Sequence, residues 1–141
     1  MVTQEETMRG LQVRHAMLTE FHKLTRGATL GDAVALLLRG TQHDFPIVDG
    51  SGHFAGLLTR NALIGALAEH GPNHPATDAM DKCETALKPA DALNEAIILL
   101  RAAPCPALPV IDPENEQLIG LLTTENIGEM LMVRAALAHT A

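Results

Sequence analysis

Phe45-Pro46-Ile47-Val48-Asp49, followed by Gly56-Leu57-Leu58-Thr59, is written a second time in this chain as Leu108-Pro109-Val110-Ile111-Asp112 and Gly120-Leu121-Leu122-Thr123. Each copy reads as a short apolar strand, a tight turn, a return strand and the start of a helix. The doubling extends outward on both sides. Sliding the chain until Ala16-Met17 lies on Ala79-Met80 also sets Leu30 on Leu93, Ala33 on Ala96 and Leu36-Leu37 on Leu99-Leu100; one inserted residue in the second turn then brings Gly56 onto Gly120 and Thr59 onto Thr123. A repeat this long implies two copies of one unit of roughly 60 residues, each too small to be comfortable alone.

Taken in order, residues 1–12 are polar with scattered Met8 and Leu11 and read as a leader, a linker or a short docking helix. Val13 to Met17 is a short apolar entry segment, and Thr29-Leu30-Gly31-Asp32 is a capping box opening a helix that runs to about Arg39, with Leu30, Ala33, Val34, Leu37 and Leu38 at helical spacing and Gly40 as its stop. The hairpin of Phe45 to Leu58 turns on Asp49-Gly50-Ser51-Gly52, and a second helix runs from about Arg60 to Glu69. Gly71-Pro72-Asn73-His74-Pro75 breaks the chain, so the units are expected at residues 13–72 and 73–138. The second unit adds a Pro104-Cys105-Pro106 joint and closes with a longer helix, Thr124 to Ala138, whose Ile127, Met130, Leu131, Arg134 and Leu137 pattern predicts that it packs on something. The fold class is therefore α+β.

Hydrophobic residues are 47% of the chain, but there is no Trp or Tyr and only Phe21, Phe45 and Phe54, so the core must be aliphatic. A net charge of -7 and the scarcity of cations and aromatics leave neither a phosphate-neutralising patch nor a stacking platform, which excludes nucleic acid as a partner. No apolar run reaches the length of a membrane span, and Met1 to Glu6 has no export signal, so the expected location is cytoplasmic. Cys83 and Cys105, isolated and outside any CxxC, read as reduced thiols. No metal site is expected: His70 and His74 are four apart, but Gly71, Pro72 and Pro75 deny them a shared helical face. Gly50-Ser51-Gly52 opens a strand rather than a helix, so it is a turn and not a dinucleotide fingerprint. HExxH and GxSxG are both absent, and no Ser or Cys has an activating context, which argues against a catalyst.

The remaining chemistry lies at the strand-to-helix corners of Thr59 and Thr123. A threonine there offers a hydroxyl beside the free amides of a helix start, which suits an anionic or phosphorylated ligand; the plainer reading is a helix cap. The order of these elements resembles the CBS domain, and the tandem copy resembles a CBS pair, or Bateman module, over about Val13 to Leu137. The resemblance implies two small βαββα-type units packed sheet to sheet about a pseudo-twofold axis, with two clefts for adenosine-containing ligands such as AMP, ATP or S-adenosylmethionine and no required cofactor. It also implies that each corner threonine meets the ligand's phosphate side, while an Asp three residues on meets its ribose. Here those third positions are Ala62 and Asn126, so only the second corner keeps a hydrogen-bonding group. The candidate ligand-binding residues are thus Thr123, Asn126, Leu108 and Pro109, with Thr59 and Arg60 at the first corner.

Gly120 to Leu131, together with Gln42 to Pro46, is most similar to the CBS pair appended to bacterial site-two-protease-like intramembrane zinc metallopeptidases. That likeness implies a regulatory tail of a membrane enzyme, with the spans and the zinc elsewhere. The family resemblance further implies a homodimer, formed through helix faces carrying Leu63, Ile64, Leu67, Ile127, Met130 and Leu131. The alternative, to which Ala62 points, is a structural dimerisation module with empty clefts.

Overall fold

The computed structural model describes residues 9–139. Most of the expected leader thus lies outside the described residues. Its end does not hang free: Gln12 bridges Ala92 and the Leu11 carbonyl accepts from the Leu93 amide, so residues 11 and 12 are docked on the second unit.

In the first unit β1 (Leu24–Thr25) runs parallel to β2 (Phe45–Val48), which pairs antiparallel with β3 (Phe54–Leu58), while α1 (Leu30–Arg39) and α2 (Arg60–His70) pack together. The second unit repeats this with α3 (Leu93–Ala102), the antiparallel pair β4 (Ala107–Ile111) and β5 (Leu118–Thr123), and α4 (Thr124–Ala138); where β1 would stand, Leu87 alone bridges Val110 in parallel. Each element starts where its residue types dictate. Thr29 caps α1 by accepting from the Asp32 amide while the Asp32 carboxylate accepts from the Thr29 amide. Asp49 and Asp112, the last letters of the repeated run, each fold their turn by accepting from the amide two residues on, at 2.8 and 2.9 Å.

Two aliphatic clusters fill the units, one around Phe45, Ile47, Leu58 and Leu63 and the other around Leu93, Leu108, Val110 and Leu122. The units are then locked by exchange. Leu18 of the first entry segment trades two backbone hydrogen bonds with Leu121 of β5, at 2.8 and 3.0 Å, and Asp81 of the second trades two with Leu57 of β3, at 2.7 and 2.9 Å. Met17 and Met80 consequently lie on the glycine of the opposite unit: a Cβ on Gly120 would sit 2.7 Å from the Met17 sulfur, and one on Gly56 the same distance from the Met80 sulfur. The repeated glycine is there because the partner's entry strand leaves no room for a side chain.

Four sequence expectations change. Cys83 and Cys105 are not free thiols but a disulfide, with Cα atoms 6.0 Å apart, because the entry strand after Asp81 and the loop before β4 meet beside Leu57. The argument from isolated thiols to a reducing compartment therefore loses its premise. Leu38 is 80% exposed, one residue past the buried stripe of α1. Leu63 and Ile127 are buried within their own units, and Leu67, Met130 and Leu131 pack on the same cores, so of the six residues assigned to a dimer face only Ile64 is exposed. Of the stripe expected to pack α4, Ile127, Met130 and Leu131 do so, whereas Arg134 and Leu137 are exposed.

Candidate functional site

A cleft of about 810 Å³ opens between the two units. The first unit contributes Glu20, Phe21 and His22 from its entry segment and the loop Gly40 to Asp44; the second contributes Pro106, Ala107, Leu121, the corner Thr123 to Asn126, and Glu129 one turn further along α4. Gln42 holds the first wall together. Its side chain accepts from the His22 amide at 2.8 Å and donates to the carbonyls of His22 and Asp44 at 3.0 and 2.8 Å, tying entry segment to loop as a strand would. Phe21, half-buried, gives that wall an aromatic face.

At the opposite wall Thr123 caps α4, its Oγ1 accepting from the Asn126 amide at 3.1 Å. The first turn of α4, Thr124 to Asn126, lines the cleft beside this cap. The Asn126 side chain donates to the Ala16 carbonyl at 3.4 Å, which orients the amide and keeps its oxygen as an acceptor. Among the described residues four carboxylates line the cleft, from Glu20, Asp44, Glu125 and Glu129, beside the imidazoles of His22 and His43, and no Lys or Arg does. Burial pushes the Asp44 carboxyl above the usual carboxylate range and Glu125 adds to the rise, against the Arg60 amide, which donates to it at 3.4 Å, and the charges of His43 and Arg60.

Of the sequence candidates, Thr123 and Asn126 come together on this cleft. Leu108 and Pro109 do not line it: Leu108 is fully buried, Pro109 is buried opposite Leu121 in the hairpin, and the wall is formed by their neighbours Pro106 and Ala107. Thr59 caps α2 by accepting from the Ala62 amide at 3.2 Å, but Thr59 and Arg60 stand at the other seam, outside the cleft. Cys83, Cys105 and Ala107, the repeat's counterparts of Glu20, Gln42 and Asp44, are buried with Leu57 as a third cluster, with Phe54 against it. Asp81 converges on the two sulfurs, but these are bonded to each other and leave no thiolate for a metal. His70 and His74 do meet, with ring centroids 4.1 Å apart and stacked face to face, and His74 Nε2 lies 3.2 Å from Asp78. The cleft residues that sequence reasoning passed over, Glu20, Gln42 and Glu129, are polar and look like solvated surface until the exchange brings the two units together.

With this geometry in view, the comparisons agree on one family. The CBS domain model matches residues 13–69 and again 76–132, and the chain belongs to the CBS domain family as a tandem pair. No functionally curated protein matches it in sequence. Among solved structures it is similar to a Vibrio cholerae protein assigned to acetoin utilization (AcuB), at 23% identity and TM-score 0.81 over 93% of this chain and 97% of that one. It is similar to the CBS domain pair of MJ0100 in complex with 5′-methylthioadenosine and S-adenosylmethionine, at 18% identity and TM-score 0.76 over 87% and 97%. It is also similar to CBSX2 in complex with AMP, at 24% identity and TM-score 0.74 over 94% and 100%. These likenesses establish the fold. Among the described residues no helix is long and apolar enough to cross a membrane.

Proposed function

We propose that this CBS pair is a regulatory module that takes an adenosine-containing ligand in the Thr123 to Asn126 cleft and passes its occupancy to a partner or parent protein. The observation that carries the reading is the cleft itself: about 810 Å³ of open space between the units, with a capped helix start, the Asn126 amide and an aromatic face around it. Its ligand class is that of the neighbours, among which CBSX2 holds AMP and the MJ0100 pair holds S-adenosylmethionine and 5′-methylthioadenosine. CBS pairs regulate; the chemistry that responds belongs to the protein they control. No cofactor is needed for this role.

The two stretches that resemble the tail of an intramembrane zinc metallopeptidase, Gln42 to Pro46 and Gly120 to Leu131, meet at this cleft. Their likeness therefore speaks first to the ligand and only second to a membrane-enzyme parent. Self-association into a homodimer is part of the reading, with Ile64 of α2 and Met132 and Val133 of α4 as the exposed apolar positions available to it. The test is a thermal-shift and calorimetric panel of adenosine derivatives on the intact chain. A ligand that prefers the folded state raises the melting temperature by mass action, whereas silence toward every member would leave a purely structural module. Sedimentation of the parent and an Ile64→Glu, Met132→Glu variant checks the dimer: the parent should sediment heavier than 15.0 kDa and the variant should not.

A further inference from the structure

The wall of the cleft is rich in carboxylates. Glu20, Asp44, Glu125 and Glu129 outnumber the two imidazoles on the wall, so negative groups exceed positive ones there even with His22 and His43 both protonated. Among the described residues no Lys or Arg lines it. Arg60, exposed, donates its backbone amide to Asp44 and its charge also acts on that carboxylate, while the Lys23 Nζ lies 5.9 Å from the Phe21 ring centroid. The start of α4 would attract an anion with about half a unit charge, but Glu125 in its own first turn already answers that. A phosphate brings about two negative charges to such a wall. At separations near 8 Å in a water-exposed site, each like-charge pair lowers affinity roughly two- to sixfold before salt screening.

We propose that this cleft selects a sulfonium-bearing adenosine derivative, the S-adenosylmethionine class, and discriminates against adenosine phosphates, a proposal that rests on the adenosine reading above. The sulfonium and the amino group of such a ligand answer the carboxylates, and its single carboxylate brings less negative charge to the wall than a phosphate does. Asn126 and Phe21 serve the nucleoside part whatever the tail.

The experiment is calorimetric titration of the intact chain with S-adenosylmethionine, uncharged 5′-methylthioadenosine, AMP and ATP at low and at high salt, repeated on a Glu125→Gln, Glu129→Gln variant. The expected order of affinity at low salt is S-adenosylmethionine, then 5′-methylthioadenosine, then AMP, then ATP, with at least about tenfold between first and third. High salt should narrow the spread from both ends, a readout on the parent that does not depend on any variant folding. The double variant should narrow it too. AMP binding as tightly as S-adenosylmethionine at low salt, or a spread insensitive to salt, overturns the charge assignment while leaving an adenosine site standing; failure of all four ligands overturns the adenosine reading and this proposal with it.

Discussion

The two seams of this molecule are copies of one another, yet one is open and the other is bonded shut. Under the repeat that sets Met17 on Met80, Glu20 falls on Cys83 and Gln42 on Cys105. In the open seam Gln42 joins the entry segment to the loop before β2 by three hydrogen bonds around an amide that keeps the two segments apart, and the cleft lies alongside. In the closed seam the equivalent positions are one disulfide, buried with Leu57 and Ala107. The corners differ in step with the seams: Asn126 can bond a ligand hydroxyl, and its counterpart Ala62 cannot. Duplication gave two equivalent places, of which one carries the features of a binding site and the other those of a structural staple.

Breaking the staple should have the largest effect. The disulfide closes a loop of 22 residues in sequence separation, for which the loss of unfolded-chain freedom corresponds to roughly 3 kcal/mol of stability. Cys105→Ser, or full reduction of the parent, should lower the free energy of unfolding by about that much in chemical denaturation, and reduction should add nothing further to the variant. A parent whose stability ignores reductant would show that the staple does not hold the seam.

The glycines test the same comparison on a smaller scale. A methyl group on Gly56 would meet the Asp81 carbonyl at 2.8 Å, whereas on Gly120 it would meet the Leu18 carbonyl at 3.1 Å; the methionine sulfurs can swing away but the backbone cannot. Gly56→Ala should therefore cost more than Gly120→Ala within the roughly 1 to 3 kcal/mol range of overpacking, as measured by urea unfolding. Equal costs would mean that the two entry strands are equally free to shift, and that the staple does not stiffen its seam.

The fold was legible because its signals are local. Apolar runs around Asp49 and Asp112, threonines at positions 29, 59 and 123, and a doubled order of elements name strands, turns and helix starts without reference to distant residues. What joins the units is not local. Leu18 to Leu121 and Leu57 to Asp81 are pairings of backbone, to which side-chain identity contributes little, and Cys83 and Cys105 meet only because those pairings exist. For the same reason the apolar spacing of α2 and α4 correctly marked buried faces but not what they are buried against: Leu63 and Ile127 went to their own cores rather than to a second chain. Of the site, Thr123 and Asn126 were legible as a corner, while Gln42 and the four carboxylates gain meaning only when two units face each other.

The smaller effects lie at the corners. Asn126→Ala removes a neutral hydrogen bond worth roughly 0.5 to 1.5 kcal/mol, so calorimetry should show affinity for an adenosine ligand falling between about twofold and tenfold, with stability little changed. Ala62→Asp is the sharper comparison, since it restores at the first corner the residue type that the family resemblance associates with ribose. At this seam it should create no second binding event, because Cys83, Cys105 and Ala107, which stand where the open seam has Glu20, Gln42 and Asp44, are buried with Leu57. It should act on the helix instead. Position 62 stands to Thr59 as Asp32 stands to Thr29, and Asp32 completes a capping box by accepting from the Thr29 amide at 2.9 Å. An aspartate in the first turn of α2, which has no acidic residue there, should therefore stabilise the chain by about 0.3 to 1 kcal/mol while the stoichiometry of ligand stays at one per chain. A second ligand bound by the Ala62→Asp protein with its disulfide intact would show that the closed seam is only nominally closed, and the comparison on which these expectations rest would have to be redrawn.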